Sequence, residues 1–183
     1  SMERAAALAM RYGVTLAAHP SYPDREHFGR RSIPMLPDEL RRTVAAQCSA
    51  LRRVSPQPIR HAKAHGALYH DLARDPTLTA AFLAGVSEGL EVPPPDLVIL
   101  GSPKLVVGEA TLLREGFADR GYDAFGHLLP RGAPGALLLD PMEAAAQARR
   151  LDASGHFDVL CVHGDTPNAV AVARAVRLAL GLP

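Results

Sequence analysis

The sequence predicts an α/β fold with a parallel sheet and crossover helices. Three observations carry this. Short apolar runs alternate with stretches of helical length. The run Leu97-Val98-Ile99-Leu100 is of the continuous kind that is buried on both faces, as in a parallel sheet. Polar residues gather directly after the runs, where strand ends of a parallel sheet share one rim.

Residues 2–12 read as an Ala-rich helix, with Leu8 and Tyr12 four apart and Gly13 as terminator. Residues 14–18 read as a buried strand and 19–36 as a long loop. Pro37 opens a helix through Val54, with Asp38 and Glu39 in the first turn, where carboxylates favour the helix dipole. A strand at 59–63, a helical turn at 66–72 and a helix from Asp75-Pro76 to Glu88 follow. The run Pro93-Pro94-Pro95 reads as a linker outside regular structure. After the strand at 97–100 come a short helix at 103–109, a strand at 111–115 and a second long loop at 116–134. A short strand at 136–139, a helix at 141–151, a strand at 158–162 and a helix at 166–180 complete the order. No boundary is stronger than the proline run, so residues 1–183 are expected to form a single domain. The alternation begins inside a helix, where such folds usually begin with a strand. A trimmed N-terminus and a natural leading helix both account for that.

Composition narrows the function classes. Hydrophobic residues make up 48% and charged residues 21%, as in a soluble globular protein. Twenty Lys and Arg against 19 Asp and Glu leave a net charge of +1, which argues against a broad nucleic-acid or anionic-membrane footprint. No apolar run reaches membrane-spanning length and no secretory signal is visible, so the expected location is cytoplasmic. Cys48 and Cys161 exclude a disulfide framework and a Cys-only zinc site, and both read as small buried hydrophobes. There is no phosphate loop, no dinucleotide fingerprint, no nucleophile elbow and no helix-borne zinc pair.

Four strand ends carry the chemistry. They are His19 to Asp24, Lys63-Ala64-His65-Gly66, Phe117-Ala118-Asp119-Arg120 and His163-Gly164-Asp165-Thr166-Pro167. Lys63 is one of two lysines and lies beside His65, where a cation favours the neutral imidazole that acts as base or ligand. A surface lysine and a helix-capping histidine are the alternative. His163 has no capping duty at its strand end, whereas Asp165 can cap a helix opening at Thr166-Pro167. Tyr69 offers a phenol to the same rim or an aromatic to the core. The loop from His19 to Arg31 holds Arg25, Arg30 and Arg31, whose forks suit carboxylates and phosphates, and Phe28-Gly29 inside it marks an ordered loop. Asp119-Arg120 and Pro130-Arg131 lie at the ends of the second loop, with Tyr122 and Phe125 as its anchors. A divalent metal, if one is held, has His19, His65, His163 and a carboxylate as ligand types suited to zinc or manganese.

These segments, with Phe28-Gly29-Arg30-Arg31, Gly66-Ala67-Leu68-Tyr69 and Leu129-Pro130-Arg131 in order between them, resemble the LamB/YcsF family over nearly the whole chain. The resemblance implies a deformed (β/α) barrel of the glycoside hydrolase/polysaccharide deacetylase type. It implies one component of an ATP-dependent 5-oxoprolinase, which opens 5-oxo-L-proline to L-glutamate together with partner subunits B and C. ATP is then the co-substrate of that complex. Ala64 stands where the family usually has proline, which loosens the backbone beside His65. The family's leading Asn-Cys-Asp-Leu-Gly-Glu strand and Gly-Phe-His-Ala-Gly-Asp loop have no counterpart here. The resemblance therefore predicts a barrel short of roughly its first two strands.

On this reading the catalytic set is His19, Asp24, Lys63, His65, His163 and Asp165. His65 and His163 are its acid/base candidates, and Asp24 or Asp165 orients a histidine or the attacking water. The substrate-binding set is Arg30, Tyr69, Asp119, Arg120 and Arg131, with the arginines facing a carboxylate or phosphorylated group. Two other readings come from different classes. One is a metal-dependent deacetylase-like hydrolase of the same fold. The other is a non-catalytic fragment whose open sheet edge pairs with a second copy.

Overall fold

The structure is a computed structural model that describes residues 1–182. The chain forms two compact units, Ser1–Leu113 and Arg114 onward. Each is an α/β layer in which spatial strand order follows chain order.

The first unit begins with α1, Met2–Tyr12, closed by Gly13 in the left-handed region at φ 62°. Its buried face is Ala6 and Ala9, while Leu8 and Tyr12 lie exposed. Strand β1 is Ala17–Ala18 and β2 is His61–Ala62; they pair in parallel, Ala17 with His61 and Ala18 with Ala62. Strand β3, Val98–Gly101, continues the sheet in parallel beside β2. The first two strands are shorter than their apolar runs because Val14 is exposed and ladder pairing starts only at Ala17.

Helix α2, Pro37–Val54, opens on Pro37, where a missing N–H costs nothing, and the Glu39 carboxylate accepts from the Leu36 N–H at 3.1 Å. Helix α3, Ala67–Leu72, is followed by α4, Pro76–Leu90, capped by Asp75, which accepts from the Thr77 and Leu78 N–H groups at 2.8 and 3.2 Å. Helices α2 and α4 meet through glycine: a Cβ on Gly85 would lie 2.5 Å from the Arg41 carbonyl, and one on Gly89 would lie 2.6 Å from Cys48 Cβ. That close approach buries Leu40, Val44, Cys48, Phe82 and Val86 completely against Ala62, Leu68, Leu97 and Ile99. At roughly 25 cal/mol per Å² of apolar surface, this core is the main source of the unit's stability.

Two sequence expectations fail here. The proline run is not outside regular structure: Pro94–Asp96 form a 3-10 turn, with the Leu97 N–H donating to the Pro94 carbonyl at 3.1 Å. Prolines fit because the first turn requires no N–H of them. Residues 103–109 are turns rather than a helix. Leu105 and Val107 are buried while Val106 is 80% exposed, an every-other-residue pattern that a helix cannot produce.

Strand β4, Thr111–Phe117, is where the chain passes from one unit to the other. In the second unit it pairs in parallel with β5, Val159–Cys161, Glu115 opposite Val159 and Phe117 opposite Cys161. Arg114 clasps Asp158 across this pair at 2.8 and 2.9 Å. Helix α5, Pro141–Ala153, is capped by Asp140, and α6 is Ala169–Ala179. They bury Ala144, Ala148, Val172 and Val176 together with Ala118. The expected strand at 136–139 is one isolated antiparallel bridge between Leu137 and Arg120. Helix α6 starts three residues later than expected, so neither Asp165 nor Pro167 belongs to its first turn. Cys48 is buried as expected, and Cys161 is half-buried. Among the described residues, no helix is long and apolar enough to cross a membrane.

The α2–α4 contact yields a stability prediction. Gly89→Ala is expected to cost about 2–3 kcal/mol by overpacking. Gly155→Ala, at φ 65° with open space around it, is expected to cost only about 1 kcal/mol of backbone strain. Urea unfolding of the two variants checks the ranking.

Candidate functional site

In the first unit the parallel register of β1 and β2 places His19 beside Lys63. The ladder continues past both strands: the Lys63 N–H donates to Ala18 and the His65 N–H to Pro20, each at 2.9 Å. His19 Nδ1 lies 2.8 Å from the Lys63 carbonyl, and His65 Nε2 lies 2.7 Å from the Phe28 carbonyl. A carbonyl only accepts, so each imidazole donates its N–H there. The nitrogens left, His19 Nε2 and His65 Nδ1, face each other at 3.1 Å with the rings at 86°. One further proton would complete a hydrogen bond between them.

Lys63 Nζ lies 6.0 Å from the centre of the Tyr69 ring, so these two candidates are neighbours. Arg30 sets its guanidinium 5.0 Å from the Phe28 ring centre, and that ring stands at 89° to the His65 imidazole. Asp24 is buried, and one of its oxygens accepts from the His27 backbone N–H at 3.3 Å and from His27 Nδ1 at 2.9 Å. The His27 hydrogen bond holds its carboxyl below the usual range, against the opposing effect of burial. Its other oxygen is buried and has no hydrogen-bond partner. Asp24 thus orients His27 rather than His19 or His65. Tyr22 donates to Asp71 at 3.0 Å, and burial followed by that bond pushes its phenol well above the usual value.

The loop that supplies these groups is fixed from two sides. Gln47 of α2 accepts from the Ser21 N–H at 3.1 Å and donates to the Ser21 carbonyl at 2.8 Å. Gly29 and Gly66 pass backbone to backbone; both have positive φ, and a Cβ on Gly66 would collide with the Gly29 carbonyl. Ala64, standing at the proline position, is buried, and the backbone bond from His65 holds the segment without proline.

In the second unit β4 and β5 bring Asp119 to His163. The His163 backbone N–H donates to Asp119 Oδ2 at 2.6 Å, and His163 Nδ1 lies 2.9 Å from Oδ1. Phe117 stacks on the imidazole at 5.7 Å. The carboxylate accepts at Nδ1, which leaves Nε2 as the lone-pair nitrogen of the neutral ring. Burial works to raise the Asp119 pKa, but the His163 hydrogen bonds outweigh it and the net shift is downward. Asp119 therefore orients a histidine, where the sequence suggested a substrate contact.

Arg120 also differs from expectation. It is buried, and its guanidinium donates to the carbonyls of Ala136, at 3.0 Å, and Leu129. It braces the loop. Gln147 of α5 donates its buried amide to the carbonyls of Phe117, at 2.8 Å, and Arg120. Tyr122 anchors the loop by accepting from the Phe117 N–H at 2.8 Å, whereas Phe125 is 86% exposed and anchors nothing. Arg131 is half-buried in the turn after Pro130, and Asp165 is exposed in the turn before α6. Sequence reasoning missed Gln47 and Gln147, whose main-chain partners lie 26 and 30 residues away, and the pairing of His27 with Asp24. Among the described residues, no group of three or more His, Cys, Asp or Glu side chains is placed to hold a metal.

The LamB/YcsF family model matches residues 1–181. The chain is 40% identical over 200 residues to the 5-oxoprolinase A subunit of Methylococcus capsulatus, covering 96% of this chain and 75% of that one. It is 40% identical over 194 residues to the 5-oxoprolinase A subunit of Symbiobacterium thermophilum, covering 96% and 74%. Its fold matches the crystal structure of a lactam utilization protein from Thermus thermophilus with a TM-score of 0.83 and 35% identity, over 98% of this chain and 78% of that one. The α/β fold of deformed-barrel type implied by the sequence is thus the fold of this chain.

The Asp119–His163 pair has a pH signature. Asp119 has a lowered pKa when folded, so its stabilising contribution is complete above the ordinary carboxylate range and fades as pH falls through the folded value. Asp119→Asn is expected to cost about 2 kcal/mol at neutral pH. It is also expected to flatten the acid limb of the stability curve, as measured by urea unfolding between neutral pH and the acid end of the carboxylate range.

Proposed function

Because the chain belongs to the LamB/YcsF family, we propose that it is the A component of an ATP-dependent 5-oxoprolinase. It acts with partner subunits B and C on 5-oxo-L-proline, and the cytoplasm is its place of work. The observation that carries a hydrolytic role is the buried Asp119 holding His163 by Nδ1. Such a carboxylate fixes the tautomer and stabilises the imidazolium that forms when Nε2 takes a proton from water.

The reaction sets the requirements. Water adds to the ring carbonyl, the C–N bond breaks, and the leaving nitrogen gains a proton. The substrate is an unstrained five-membered lactam, so opening is uphill, and conversion of ATP to ADP and phosphate supplies the drive. His163 is the general base. Within the first unit taken by itself, the His19–His65 pair is a candidate for handling a proton, with Lys63 as a neighbouring cation close to Tyr69. Arg30, exposed at the loop, is the cation suited to a substrate carboxylate.

Glutamate formed from 5-oxoproline and ATP, measured with the chain mixed with subunits B and C, tests the assignment. Formation is expected to need all three. His163→Ala and Lys63→Ala are each expected to lower kcat by about 100-fold or more. Unchanged rates in both would remove these residues from the site.

A further inference from the structure

Phe28 is the residue in the site whose conformation has no return of its own. Its φ is 56°, a left-handed backbone that a bulky side chain adopts at a cost, and the residue is 58% exposed, so burial does little to offset that cost. What the conformation achieves is visible at His65. The left-handed turn aims the Phe28 carbonyl at His65 Nε2 at 2.7 Å. It also swings the ring back so that ring and imidazole meet edge to face, 5.1 Å between centres. The next residue, Gly29, has φ 65° and packs against His65 Cδ2, leaving no room for a side chain there. Arg30 lies over the same Phe28 ring. Two consecutive residues, Phe28 and Gly29, thereby meet one imidazole, and the third, Arg30, covers the ring of the first.

We propose that Phe28 is a positioning residue for His65: its carbonyl and ring together hold the imidazole in the Nε2–H tautomer, with Nδ1 turned to His19. In that tautomer His65 Nδ1 turns its lone pair to the lone pair of His19 Nε2, so one added proton can bridge the two rings; the Nδ1–H tautomer would already donate to His19 and leave no place for it. The strained backbone is the means of preventing this. The inference takes from the reading above only that His65 handles a proton; the tautomer itself is a property of this chain alone.

The test uses the full chain with ¹⁵N-labelled histidine imidazoles, the His65 signal being assigned by its loss in His65→Gln. In the wild type and in Phe28→Tyr, which keeps the ring, His65 is expected to show the Nε2–H tautomer. In Phe28→Gly, which relaxes the backbone, and Phe28→Leu, which removes only the aromatic edge, a tautomer mixture is expected. A wild-type tautomer signature in both overturns the proposal. In the assay with both partners present, the same two variants are expected to lose about tenfold or more in kcat with KM unchanged, and Phe28→Tyr to keep both. A rise in KM alone would make the ring a substrate contact and overturn the positioning role. Scrambled tautomers with unchanged kcat would leave the positioning intact and remove His65 from the reaction. Thermal unfolding of Phe28→Gly is expected at or above the wild-type temperature, since glycine adopts the left-handed backbone without strain.

Discussion

Strands of two or three residues cannot hold a parallel sheet by themselves, and the backbone ladder of this protein runs on past their ends. In the first unit it continues through the N–H groups of Lys63 and His65 to the carbonyls of Ala18 and Pro20. In the second, Ala118 donates to Cys161 at 3.0 Å, immediately before Asp119 and His163 join. The residues suited to chemistry are therefore also the residues that finish the sheet. Their side chains project from backbone already committed to hydrogen bonds, which fixes their origin before any side-chain contact forms.

Around this ladder, long polar side chains do the work that strands would do in a larger sheet. Gln47 and Gln147 each reach from a helix to main-chain groups of a strand-end loop, and Arg120 does the same from within its own loop. A buried amide or guanidinium is costly when unpaired and strongly directional when paired, so these contacts specify a single loop geometry. Stability and site geometry are coupled through them.

Much of the fold was legible in the sequence, and the reason differs by element. Helix starts were clear where chemistry is local: Pro37 with Glu39, Asp75 with Pro76 and Asp140 with Pro141 all act within one turn. The span at 103–109 was misread because Leu105 and Val107 are buried by tertiary contacts that no local pattern announces. The placing of charged and imidazole side chains directly after the strands was legible, because it needs only the order of apolar runs and polar residues along the chain. Partnership was not. The bond between His65 and Phe28 joins residues 37 apart, and that between Gln147 and Phe117 joins residues 30 apart. Arg120 looked like an arm for an anion, since nothing near it in the chain reveals the carbonyls that occupy its guanidinium.

The loop from His19 to Arg31 is tied to α2 through Gln47, to the Lys63–Gly66 turn through Gly29 and Gly66, and to His65 through Phe28. A segment fastened at three places along its length has no hinge to swing on. It is a wall rather than a lid. Any ligand that came to it would meet a surface already set, and a fixed surface discriminates by the match of shape and charge at first encounter rather than by a later closing motion.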